Sequence, residues 1–274
     1  MKFEHTEVFN FAGALRGMRN PKESWDNSDS GYYGYCTEDN KWVKECCTYD
    51  ACLGACLRDK EFKIGENDLK LAQSLIKAGS EHRKFMRQIF VSVDITAPLY
   101  WWKEFDTYKV GTVANSTSTM HKLASTPIIK DCFEMDDFED VYSNKALKEA
   151  TLTSWWNLVI EELERLRQEH NKLVEDKGHL EEIKDFEEAR KAQVMAKKYW
   201  KELIRLLPDS WLQTRTVTFD YENLLAICSK GQRRFHKLTE WSKAFIDWAR
   251  TLPYAQELIF LDEKEEADET MERR

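Results

Sequence analysis

Lys109 is a cation in a stretch otherwise made for neutral hydrogen bonding. From Thr112 to Thr119, six of the eight side chains carry a hydroxyl or an amide: Thr112, Asn115, Ser116, Thr117, Ser118 and Thr119. An ammonium followed by hydroxyls and an amide can hold a phosphate and read the edge of a ribose or a pyrimidine. The same residues also suit a solvated connection whose side chains cap their own backbone, and Lys109 equally suits a helix end, where a cation favours the dipole. A second basic cluster, "KGQRRFHK" with Arg233, Arg234, His236 and Lys237, offers further phosphate contacts or an ordinary charged turn. Tyr100, Trp101 and Trp102 present either rings that stack on a base or a core-facing stripe, core being the commoner use of such a pattern. Arg215, on an alternating stretch, is a further candidate for substrate contact.

The elements that must position these groups follow from periodicity and punctuation. "EVFNFAGAL" (7–15) alternates in part and reads as a first strand; the Asn-, Ser- and Gly-rich "RNPKESWDNSDSGYYGY" reads as loop. Residues 41–58 read as a short cysteine-bearing helix. Asn67 or Asp68 caps a helix with an apolar stripe of Leu69, Leu71, Leu75 and Ile76, ending at Gly79. "MRQIFVSVDIT" alternates Ile89, Val91, Val93 and Ile95 against polar neighbours and is the clearest strand. Thr96 is expected to cap, with Pro98 in the first turn, a helix ending before Gly111. A long helix from 144 to 176, broken at Gly178, and a second from Asp185 to Leu207, stopped by Pro208, form an antiparallel hairpin. "LQTRTVTF" is a strand, Asp220 caps the helix after it, Gly231 stops that helix, and a last amphipathic helix runs from Thr239 to just before Pro253. The acidic tail 263–274 is expected to fray. The fold class is α+β, a small mostly antiparallel sheet with a long helical hairpin. The expected layout is a single domain over 1–262 with a cysteine-rich insertion at 31–62 and the hairpin at 144–207.

Bulk composition excludes several classes. The chain has 274 residues, 42% of them apolar and 12% aromatic, enough for a sizeable core. Forty-one basic against 49 acidic residues give a net charge of −8, which argues against a general nucleic-acid binder. No run of eighteen apolar residues is present and the N-terminus lacks a signal-peptide pattern, so no membrane partner is expected and a cytoplasmic location is. Seven cysteines, five within 36–56, do not repeat a C-x-x-C pair. Buried reduced thiols are the reading preferred over a zinc site, and no metal is expected. No Gly-rich dinucleotide fingerprint, phosphate loop or nucleophile elbow occurs.

The order strand, "ITAP", helix, polar loop, helical insertion, "LLP", strand and capped helix resembles the flavin-dependent thymidylate synthases. It does so over roughly 65–125 and 200–250, through "AGSEHRKFMRQIFVSVDITAP", "TYKVGTVANSTSTM" and "LLPDSWLQTRTVTFDYENLLAI". Thr107, Tyr108 and Lys109 stand where the family has Arg-His-Arg. Thr112 and Thr117 stand for its serines, Ala114 and Asn115 for Asn-Glu, and Thr119 and Met120 for Arg-Tyr. Asp220, Tyr221 and Glu222 stand for Asn-Leu-Arg, which reverses the charge of a nucleotide-holding residue. The resemblance implies FAD as cofactor, contacted from His82, Tyr108, Lys109 and Asn115. It implies a dUMP-like substrate contacted from Thr107, Thr112, Ser116, Thr117, Ser118, Thr119, Arg215, Arg233 and Arg234. It further implies a reduced folate as one-carbon donor and a homotetramer. The arginines it loses leave two alternatives to synthesis: a catalytically silent nucleotide-binding or sequestering protein of phage or prophage origin, and a structural homo-oligomer.

Overall fold

The computed structural model describes residues 1–36, 41–44, 61–118, 123–135, 152–233 and 238–263. The architecture is α+β. A four-stranded sheet has the order β1-β5-β7-β6, with β1 at Lys2–Phe9, β5 at Phe90–Pro98, β6 at Val113–Ser116 and β7 at Leu212–Asp220. A second, antiparallel sheet has the order β3-β2-β4, with β2 at Gly31–Cys36, β3 at Lys41–Lys44 and β4 at Glu61–Lys63. The helices include α1 (Phe11–Arg19), α2 (Glu66–Lys77), α3 (Leu99–Phe105), α4 (Leu152–Glu182), α5 (Phe186–Leu206) and α6 (Tyr221–Ile227).

Several expectations hold as made: the alternating strand before "ITAP", the helix beginning after Asp185, the strand over "LQTRTVTF", and the capping role of Asp220. Others are corrected. The helix expected to be capped by Asn67 or Asp68 instead starts at Glu66 with Gly65 as its N-cap, and the N–H groups of Asn67 and Asp68 donate to the Asp29 carboxylate. The segment 7–15 is strand only as far as Phe9. Asn10 turns the chain with φ 72°, and Phe11, Ala14, Leu15 and Met18 then bury at helical spacing. Residues 41–44 pair with β2 as a strand rather than opening a helix; the remainder of the 41–58 expectation lies outside the described residues. Thr96 does not cap α3, because β5 runs on through Pro98, and its hydroxyl pairs instead with that of Thr214 at 2.7 Å. Gly178 does not break the long helix, which continues to Glu182; the roughly 1 kcal/mol that glycine costs in a helix is outweighed by packing along the hairpin. The turn comes at Lys184, with φ 65°, and Asp185 then caps α5 by accepting the Glu188 N–H at 3.2 Å. Gly231 does not stop α6, which ends at Ile227; it lies inside a four-residue helix, Lys230–Arg233. The acidic tail from 264 onward lies outside the described residues.

The chain divides into two compact units. One comprises Met1–Lys2, Asp94–Thr107 and Asn115–Thr216; the other comprises Phe3–Val93, Tyr108–Ala114 and Val217–Arg274. In the first, the hairpin of α4 and α5 closes on a core of Leu123, Ile128, Phe133, Leu163, Leu166 and Leu203. Trp101 and Trp102 are fully buried at ring contact with Phe105, so this aromatic stripe is core. Trp156 packs on Phe133, whereas Trp155 on the same helix is exposed. The second unit centres on Tyr221 and Phe219, with Phe11 edge-on to Tyr221; the Tyr221 hydroxyl donates to the Pro253 carbonyl at 2.6 Å.

Candidate functional site

In the second unit, the loop carrying Tyr108, Lys109 and Thr112 is fastened to the start of α6. Asp220 and Asn223 form a reciprocal cap: the Asn223 N–H donates to the Asp220 carboxylate at 2.9 Å, and the Asp220 N–H donates to Asn223 Oδ1 at 3.1 Å. The amide of Asn223 then reaches out and donates to the Val110 carbonyl at 2.7 Å. Gly111 has φ 76°, and a Cβ there would stand 2.9 Å from Asp220 Oδ2. Glycine is therefore required twice over, by backbone conformation and by close approach. Burial pushes the Asp220 carboxyl up from its ordinary value against the hydrogen bonds that favour its charged form. The loop closes on itself as well: Thr112 donates to the Tyr108 carbonyl at 2.6 Å, and the Tyr108 hydroxyl accepts from Gln232 at 2.7 Å.

This anchoring leaves Lys109 exposed, with no ion pair among the described residues, beside Val110, which is 85% exposed. His82 is also exposed, in the turn before β5. Its neighbour Arg83 uses Nε to hold Glu222, at 2.9 and 3.1 Å from the two carboxylate oxygens. The reversed charge at Glu222 therefore has an internal partner.

In the first unit, β6 lies at the sheet edge next to β7, and the chain beyond it is held by two backbone contacts. The Thr117 N–H donates to the Thr214 carbonyl at 2.9 Å, and the Gln213 amide donates to the Thr117 carbonyl at 3.0 Å. The side chains of Asn115, Ser116 and Thr117 are exposed and make no hydrogen bond among the described residues; Ser118 is half-buried and engaged. Arg215 is only 14% exposed. It donates to Asp106 at 2.8 Å and to Gln213 at 3.0 Å and lies over the Trp102 ring at 4.3 Å. Thr107 donates to the Glu104 carbonyl at 2.7 Å, closing the last turn of α3.

The structure thus places Tyr108, Lys109 and Thr112 on one fastened loop, and Asn115, Ser116 and Thr117 along one exposed edge. Thr119 and Arg234 lie outside the described residues, as do the side chain of Arg233 and the neighbouring His236 and Lys237. Asn223 and Gln232, the anchors of the loop, were not among the expected site residues. Asn three residues after a capping Asp is the local signal for the reciprocal cap, but nothing local marks its third bond, to Val110.

A flavin diphosphate and a nucleotide phosphate together need several cations or arginine forks. Among the described residues at the positions implied for them, Arg215 is committed to Asp106 and Gln213, and Lys109 is exposed without an ion pair. That donor set suits one phosphate and does not suit a diphosphate as well. Cys132 and Cys228 are not in disulfides, and no cluster of three metal-ligating side chains occurs among the described residues; Cys46, Cys47, Cys52 and Cys56 lie outside them.

No protein-family model matches the chain, and no curated protein matches it in sequence. Solved structures match it in fold, among them two from Helicobacter pylori. One is a flavin-dependent thymidylate synthase from Helicobacter pylori complexed with FAD and dUMP. It is 13% identical, and the alignment covers 96% of this chain and 99% of that one with a TM-score of 0.51. The other is also a Helicobacter pylori thymidylate synthase with FAD and dUMP, 12% identical, covering 93% of this chain and 95% of that one with a TM-score of 0.52. Among the described residues no helix is long and apolar enough to cross a membrane. From its first strand to its last helix, the chain carries the flavin-dependent thymidylate synthase fold.

Proposed function

We propose that this protein binds a pyrimidine nucleoside monophosphate of the dUMP kind at the loop of the second unit that carries Lys109. Lys109 meets the phosphate, on a loop that also carries Tyr108 and Thr112. The observation that carries this reading is the exposed ammonium of Lys109, without an ion pair among the described residues, on a loop whose geometry Asn223 and Gly111 fix. A cation held ready without an internal partner gains more from an incoming anion than one already neutralised. The dUMP in both fold neighbours supports the choice of ligand. Thermal unfolding against a panel of nucleoside monophosphates tests it: dUMP is expected to raise the melting temperature and uridine is not, and an absence of shift with every nucleotide would refute the reading.

A second reading, synthesis, is favoured by the near end-to-end fold match to enzymes that hold FAD and dUMP. On that reading a bound flavin would supply hydride chemistry and a reduced folate the carbon, while this chain orients the nucleotide. The short supply of cations among the described residues is why we place nucleotide binding first. Purification in the dark followed by an absorbance spectrum separates the two: a flavin band, or one that grows with added FAD, would move synthesis to the front. Association into a homotetramer accompanies either reading and is checked by sedimentation.

A further inference from the structure

A cavity of about 360 Å³ in the second unit is lined by Arg83, the partner of Glu222. Its apolar lining is Leu225 and Ala226 from α6 and Ile259 and Phe260 from the turn after the helix Ala255–Leu258; its polar lining is Arg83, Ser229, Lys230, Asp262 and Glu263. Glu222 occupies only Nε of Arg83, and the two terminal nitrogens have no partner among the described residues. These nitrogens form the planar fork that matches an oxyanion. Three of the lining groups have partners outside the cavity lining: Arg83 holds Glu222 in the first turn of α6, Glu263 is ion-paired to Arg250 at 2.5 Å, and the Arg250 guanidinium lies over the Phe260 ring at 4.3 Å.

From this geometry we infer that the cavity is a binding site for a small monocarboxylate with an apolar body. The carboxylate meets the Arg83 fork and the body lies on Leu225, Ala226, Ile259 and Phe260. One negative charge is preferred over two because Arg83 and Lys230 are balanced in the lining by Asp262 and Glu263, which leaves no surplus of positive charge for a second. A neutral molecule is disfavoured because the fork would lose water without gaining a partner. The site is independent of the nucleotide reading, which concerns Lys109 and its loop.

Benzoate is a suitable probe, with methyl benzoate and phenyl phosphate as neutral and dianionic analogues, titrated into the full chain by calorimetry or by shifts in protein NMR. Benzoate is expected to bind and the two analogues to bind at least about tenfold more weakly, as the loss of a charged hydrogen bond predicts. The double variant R83Q/E222Q, which removes the fork without stranding a charge, is expected to weaken benzoate to the same degree. A226W, which fills an exposed position in the apolar lining, is expected to do so without touching any ion pair, so the test survives if the double variant fails to fold. K109A should leave benzoate binding unchanged. Failure of benzoate to bind, equal binding of the ester, tighter binding of phenyl phosphate, or undiminished binding to A226W would each overturn the assignment.

Discussion

The two units hold their charged groups in opposite ways. In the second, charge is buried and joined over long stretches of sequence. Arg19, 5% exposed, pairs with the fully buried Asp68 at 2.5 Å, and Asp68 also accepts from the Ser28 hydroxyl at 2.6 Å and the Ser30 N–H at 3.2 Å. α1, α2 and the loop before β2 thus share one carboxylate. In the first unit, much of the charge on the hairpin lies on the surface, paired within a turn: Arg165 with Glu162, Lys177 with Glu181, and Lys191 with both Glu187 and Glu188. The hairpin is held by its apolar seam instead. A buried pair is costly to break and contributes to specifying one arrangement, whereas exposed pairs a turn apart contribute little.

The largest expected effect is therefore at Asp68. Asp68→Ala strands Arg19 in the interior and should cost about 3–5 kcal/mol, read by denaturant unfolding; a loss below about 1 kcal/mol would erase the contrast between the units. Burial alone would raise the Asp68 carboxyl, but the hydrogen bonds from Ser28 and Ser30 and the Arg19 guanidinium outweigh it and hold it below its ordinary value. Its contribution is accordingly present above the unfolded value of 3.8 and lost as pH falls through the folded one.

Glu164 sharpens the comparison because it is the hairpin residue that behaves like the second unit. It is held by Arg167, accepts the Ile128 N–H at 2.8 Å and the Gln168 amide at 2.8 Å, and its carboxyl is lowered to about 2, chiefly by Arg167. Glu164→Ala should cost about 2 kcal/mol. The wild-type margin over this variant should shrink as pH falls from 4.5 towards 2, since a depressed carboxylate stabilises only while ionised. A margin that does not change with pH would assign the loss to packing.

Gly111→Ala should cost about 1–2 kcal/mol, from the left-handed backbone and the push against Asp220, whereas Asp220→Asn should leave stability nearly unchanged, since asparagine caps as well and removes a buried charge. Equal losses from the two would mean that the cap, rather than the loop, is what alanine disturbs. The smallest effect is at Lys191, exposed beside its glutamates. Lys191→Ala should not shift the melting temperature measurably, at low salt or high; a shift that salt abolishes would show that the hairpin surface carries more than the contrast allows.

What could be read from sequence in this molecule was local. The alternation of Ile89, Val91, Val93 and Ile95 and the capping Asp220 each carry their cause within a few residues, and each stands in the structure as expected; of the stripe expected on α2, Ile76 is buried and Leu69, Leu71 and Leu75 are half-buried. The change of period at Asn10 was hidden because Val8 and Phe9 pair in pattern with Phe11 whichever element follows. Gly178 misled because helix propensity is weaker than the packing of a long hairpin. Partner choice was the least legible: Arg19 with Asp68, Arg83 with Glu222 and Asn223 with the Val110 carbonyl join residues 49, 139 and 113 positions apart. The candidate site shows the same division. Its residue types were visible as a lysine and a hydroxyl-rich run, but which groups are already occupied, as with Arg215 and Thr107, depends on neighbours that no local pattern names.

The nucleotide reading rests on Lys109, and one comparison addresses it directly: the dUMP-induced rise in unfolding free energy for the wild type and for Lys109→Ala. At dUMP a hundred times its dissociation constant for the wild type, that protein should gain about 2.7 kcal/mol. The variant, unfolding at the same temperature in the absence of ligand, should lose most of the gain. An equal gain in both proteins would remove Lys109 from the site, and no gain in the wild type would contradict nucleotide binding itself.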